Sequence, residues 1–291
     1  AYNTSSSLDM TGGEISGNTM SGDGGGLYFN GGTLDMKGVV VDANTKTVAA
    51  AFSHGGAVYA TMADVTLDSL VVTGNEAHVG GGVDMTSCSD AVLMHSVLTG
   101  NTAMFWGGGV HFQGNATGSI TSNTLFGNDG TFSGGGGIYV GSGSPAISNN
   151  IVAFNTGSAA TNANGMALLS APSVLDCNDT FGNDGANYSG VPDPTGTNGN
   201  ISLDPLFCDS GAGKFNLVPE SPCAPANSGS CGLIGALSSG CGESPVPDEV
   251  VGVPAAFQVD QNYPNPFNPQ TTIRFALPSA GRTRVAVFDV A

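Results

Sequence analysis

The chain has 291 residues, 46 of them Gly, and a formal net charge of −17 with only 6 Lys and Arg. That balance argues against nucleic acid, which needs clustered Lys and Arg to hold phosphates, and it disfavours anionic membranes and acidic polysaccharides. No run of 18 apolar residues occurs, so no membrane span is expected. So few Glu, Lys and Arg leave helices without their usual surface formers, which points to an all-β chain.

In chain order, one pattern recurs. It reads EISGNTMSGDGGGLYF from Glu14, LVVTGNEAHVGGGVDM from Leu70, SVLTGNTAMFWGGGVHF from Ser96 and NTLFGNDGTFSGGGGIYV from Asn123. The asparagines Asn18, Asn44, Asn75, Asn101, Asn128, Asn155 and Asn183 follow one another at 26, 31, 26, 27, 27 and 28 residues. Eight residues before each stands an apolar residue: Met10, Met36, Leu67, Leu93, Ile120, Ile147 and Leu175. After the glycines a third apolar column runs through Leu27, Val58, Val83, Val110, Ile138 and Met166.

A unit of this size cannot bury its own apolar face, but stacked on copies of itself it can. Alternation such as Val110-His111-Phe112 has strand period. The expectation is therefore a solenoid of about seven coils over residues 1–190, its neighbouring strands parallel. The glycine runs fit corners needing positive φ or close approach, and the asparagine column fits an amide ladder. The insertion TKTVAAAFSH between Asn44 and Gly55 is the longest, and a protruding loop of this kind can carry function.

These repeats resemble the right-handed parallel β-helix of the pectate-lyase-like superfamily, which also supplies many bacterial surface proteins. Residues 191–241 change character. Asp204 to Phe207, Ser221-Pro222 and Ile234 to Ala236 resemble the closing segment of secreted bacterial β-helix proteins, so a last coil and a cap hiding the open end are expected. Cys208, Cys223, Cys231 and Cys241 fall in it at spacings of 15, 8 and 10, which match no CxxC metal site; one or two disulfides pinning the cap are expected.

Residues 242–256 read as a proline-rich linker. Within residues 257–291, the run from Asn262 to Phe275, NYPNPFNPQTTIRF, resembles the start of the C-terminal sorting domain of type IX secretion cargo, a motif shared with the immunoglobulin-like domain of the flagellar hook-cap protein. It implies a β-sandwich whose remaining strands lie beyond Ala291, and export to the extracellular side or bacterial cell surface through outer-membrane secretion machinery. Since the chain opens at Ala1 inside a coil, further sequence upstream is expected.

The residue after the glycine-turn column forms a set of its own: Tyr28, Tyr59, Asp84, His111 and Tyr139. Facing outward in register, Asp84 and His111 would be neighbours flanked by aromatics. Aromatic faces suit sugar rings, and an Asp–His pair can move a proton. His54, His78 and His95 show no partner in the sequence, and Trp106 reads as a corner plug. No cofactor is expected; calcium held by the scattered carboxylates and carbonyls is the minority reading, without a motif behind it, since neither an EF-hand loop nor the glycine-rich nonapeptide of calcium-binding β-helices occurs. The leading expectation is a structural or adhesive surface protein that binds a glycan or another surface. The alternative is a hydrolase or lyase acting on a neutral glycan, with Asp84 and His111 as catalytic candidates. A filament-forming solenoid is the third.

Overall fold

The computed structural model describes residues 6–47, 52–114, 117–132, 134–157 and 163–241, and the backbone of Gln258–Val259 and Phe275–Ala276. The chain winds into a parallel solenoid. One wall is a twelve-stranded sheet and another a seven-stranded sheet running from Glu14–Ser16 through Val97–Thr99 to Asp179–Phe181. A third, of four strands, includes Glu76–Val79 and Thr102–Trp106. The seven strands, one to a coil, span about six turns from first to last. At the parallel-strand spacing the rod is roughly 30 Å long.

The repeat columns become ladders because each recurs once per turn. Met10, Met36, Leu67, Leu93, Ile120, Ile147 and Leu175 pair in unbroken register. Together with Val41, Val72, Leu98, Leu125 and Val152 from the facing sheet, they fill the interior.

The amide ladder forms as expected. Asn101 Nδ2 donates to Asn128 Oδ1 at 2.9 Å and to the Val72 carbonyl at 2.9 Å, and the Asn101 backbone N–H donates to the same Asn128 oxygen at 3.1 Å. Thus each amide satisfies the corner above and is satisfied by the one below. A second ladder, Asn123, Asn150, Asn178 and Asn200, turns another corner with amide bonds of 3.0, 3.0 and 3.1 Å. The glycine corners need both expected properties: Gly80 has φ +61°, and a Cβ on Gly81 would lie 2.5 Å from the Thr102 carbonyl oxygen.

Tyr188 plugs the C-terminal end of the interior: its ring is buried in the core and its hydroxyl meets Thr180 Oγ1 at 2.8 Å. Asn200 and Ile201 then add a partial turn. The segment that follows does not close the end as expected. It folds back along the outer face of the seven-stranded sheet as a strap, where the Ala236 N–H meets Thr124 Oγ1 and the Gly235 N–H meets the Asn149 carbonyl. The cause is apolar. Thr124, Ile151 and Ala153 point out of the rod, and Leu217, Cys223 and Ile234 cover them. Disulfides join Cys177 to Cys231 and Cys208 to Cys241, leaving Cys88 and Cys223 as buried free thiols. Beyond residue 241, Gln258–Val259 pairs antiparallel with Phe275–Ala276; the rest of the stretch expected to hold a linker and the start of a sorting domain lies outside the described residues.

Candidate functional site

The column read from the repeat is a physical ladder. Tyr28 lies beside Tyr59, Tyr59 beside Asp84, Asp84 beside His111, and His111 beside Tyr139. It points away from the interior, since Val83 and Met85 on either side of Asp84 point in. The expectation of a solvent-facing column is corrected for most of it. Tyr28 is 48% exposed, but Asp84 and His111 are buried, as are Tyr59 and Tyr139.

The cover comes from outside the repeat register. Phe52, Ser53 and His54 end the long insertion after Asn44, and His54 lies over Asp84 and stacks on Tyr59 at 5.0 Å. Trp106, at the end of Thr102–Trp106, packs against Tyr139 at 5.9 Å.

At the centre one carboxylate holds two imidazoles. Asp84 accepts from His54 Nδ1 at 2.7 Å on one oxygen, and from His111 Nδ1 at 3.0 Å and Thr86 Oγ1 at 2.7 Å on the other. Burial opposes the charge on Asp84, but the charges and hydrogen bonds of His111 and His54 outweigh it and hold the carboxyl down at about 2. An ionised carboxylate only accepts, so both Nδ1 atoms carry their protons. Whenever either ring is neutral, its Nε2 is the lone-pair nitrogen. The Nε2 of His111 is buried without a partner. For His54, burial works against protonation, but the hydrogen bond and charge of Asp84, then the charge of Asp23, raise its pKa.

The other histidines also find partners that the sequence did not reveal. His78 Nδ1 meets Ser53 Oγ at 2.8 Å, and His95 Nδ1 meets Asp68 Oδ1 at 3.0 Å. Burial, then the charge of Lys46, lowers the pKa of His78.

Around this centre the rings touch in a continuous series. Tyr28 stacks on Tyr59 at 5.2 Å; Phe52 meets His54 at 5.4 Å, His78 at 5.5 Å and Phe105 at 5.6 Å; Phe105 meets Phe132 at 6.3 Å. Tyr28, Phe52 and Phe132 are each about half exposed, so one flank presents aromatic faces across several coils. Among the described residues no group of three or more His, Cys, Asp or Glu is arranged to hold a metal ion, and no helix is long and apolar enough to cross a membrane.

A rod of stacked parallel coils with short outward loops defines a β-helix protein, and comparison by sequence agrees. Residues 25–190 match the family described as the right handed beta helix region, and the chain belongs to it. No curated protein and no solved structure matches the chain.

Proposed function

We propose that this is an exported bacterial surface rod that binds glycan through the aromatic flank running from Tyr28 by way of Phe52 and Phe105 to Phe132. The observation that carries the reading is the unbroken ring series with half-exposed members on separate coils. Each of these rings packs against a neighbour in the fold and leaves its remaining surface to solvent. A sugar ring, apolar on its faces and polar at its rim, fits it while the buried Asp84 network stiffens the floor. Tyr59, Asp84, His111 and Tyr139 support the site, and Tyr28, Phe52 and Phe105 touch the ligand. Export rests on the resemblance of residues 262–275 to a type IX sorting domain, with residues 257–291 engaging the outer-membrane machinery and residues 242–256 as the tether.

The test is a glycan-array screen of the full chain beside its Phe52→Ala, Phe105→Ala double variant. At least one neutral oligosaccharide should bind, and the variant should lose tenfold or more. No bound glycan, or a variant that binds as well, ends the reading.

A second reading, a glycan-cleaving enzyme, is favoured by one observation: Asp84 fixes the tautomer of His54 and leaves its Nε2 as a base on a partly exposed ring. Product release by the native chain, lost in His54→Gln while binding persists, would put this reading first.

A further inference from the structure

The strap covers one charged group. Asp179 occupies the outward column that in earlier coils holds Val71, Val97, Thr124 and Ile151. It is fully buried. Its partners are the Leu203 N–H at 3.1 Å and the Cys223 S–H at 3.1 Å, both supplied by the strap. The titratable groups facing it are Cys223 and Asp204 from the strap and Tyr188 from the last coil; none is a cation. Around the seam lie Ile151, Leu217 and Ile234. At either side the strap is tied by bonds independent of Asp179: Asn149 Nδ2 donates to the Cys231 and Leu233 carbonyls at 2.8 and 3.0 Å, and Cys231 is covalently joined to Cys177.

We propose that the strap over residues 202–236 is a proton- and redox-sensitive latch, closed by protonated Asp179 and held shut at neutral pH by the Cys177–Cys231 disulfide. No positive group compensates a carboxylate in this seam, whereas the carboxylic acid carries no charge and can turn its O–H to the Cys223 sulfur 3.1 Å away.

Burial is the main cause that pushes the Asp179 carboxyl up to about 6, with the Asp204 charge adding to it against the Cys223 and Leu203 hydrogen bonds. A raised carboxyl contributes closing free energy that is fully present below its ordinary value of 3.8 and is lost as pH rises to about 6. Above that the strap is at its loosest, and the disulfide carries it. Reduction of that disulfide takes up two electrons and two protons and gives two thiols. The reductant is an external dithiol, itself oxidised to a disulfide.

The experiment is hydrogen exchange of the full chain, corrected for intrinsic rate, at pH 4.5 and 7.5, with and without a phosphine or dithiol reductant. Expected is a fall in protection of residues 203–236 by about tenfold to a hundredfold at the higher pH, deepened by reduction, with the coil strands unchanged. Asp179→Asn keeps the acceptor without the charge and should flatten the pH dependence. Native protection equal at both pH values, or an unchanged pH response in Asp179→Asn, overturns the latch. If the variant fails to fold, alkylation of Cys223 in the native chain decides. Labelling after reduction should be far faster at pH 7.5 than buried Cys88 allows for the same reagent, and equal rates at the two thiols would overturn it.

Discussion

Among the described residues two carboxylates are fully buried, on two different faces of the rod, and they behave in opposite ways. Asp84 sits under the aromatic flank and is held at about 2; Asp179 sits under the strap and is pushed to about 6. Burial raises both. The difference lies in the partners: two imidazoles and a hydroxyl for Asp84, a thiol and one backbone N–H for Asp179. A buried acid is thus an anchor where a cation can share its proton and a stressed point where none can. In the two proposals the flank built on Asp84 recognises a ligand and the flank built on Asp179 opens.

The largest effect should come from removing the anchor. Asp84→Ala leaves the buried His111 Nδ1–H and the partly exposed His54 Nδ1–H without their acceptor, and should cost about 3–5 kcal/mol of unfolding free energy. Denaturant melts of the native chain and the variant measure it. A loss below about 1 kcal/mol would mean that the imidazoles find other partners and that Asp84 anchors nothing.

The pH profile sharpens the comparison because the two signs oppose. Asp84, depressed in the fold, contributes stability that is present above its ordinary value of 3.8 and is lost as pH falls toward about 2. Asp179, raised in the fold, contributes stability that is lost as pH climbs from 3.8 to about 6. The melting temperature should therefore rise on acidification from pH 7, pass a maximum near pH 4 and drop steeply below pH 3. Asp179→Val restores the residue type of Val71 and Val97. It should gain about 1 kcal/mol at pH 7, after the orphaned Leu203 N–H is discounted, and nothing at pH 4. An equal gain at both pH values would show that the variant acts by packing and not by removing a charge.

How much of this was legible follows from where each residue stands relative to the repeat. Asn75 and Asn101 meet because a residue recurring once per turn must lie beside its copy, so the ladder, the core columns and the Asp84–His111 contact could be read from spacing alone. The second ladder was equally legible. Asn123, Asn150 and Asn178 each stand five residues before an asparagine of the first column. The burial of Asp84 was not legible, because Phe52 and His54 belong to an insertion whose path no periodicity dictates. The same holds for Asp179 and Cys223, 44 residues apart and joined only because the strap turns back over the sheet. An aspartate following Val71, Val97, Thr124 and Ile151 in one column was the hint the spacing offered.

The smallest effect tests whether the exposed half of the anchor works by charge. His54 is partly exposed, so solvent screens its pairing with Asp84, and His54→Gln should cost under about 1 kcal/mol. The amide can still donate to the carboxylate, so what disappears is the imidazolium. The raised folded value of His54 means that its contribution is fully present below its ordinary pKa of 6.5 and fades as pH rises through the folded value. The variant should therefore fall short of the native chain at pH 5.5 and match it at pH 9. Paired denaturant melts at those two values give the answer. A deficit of the same size at both would assign His54 to stacking between Tyr59 and Phe52, and would leave His111 as the one imidazole that keeps Asp84 ionised.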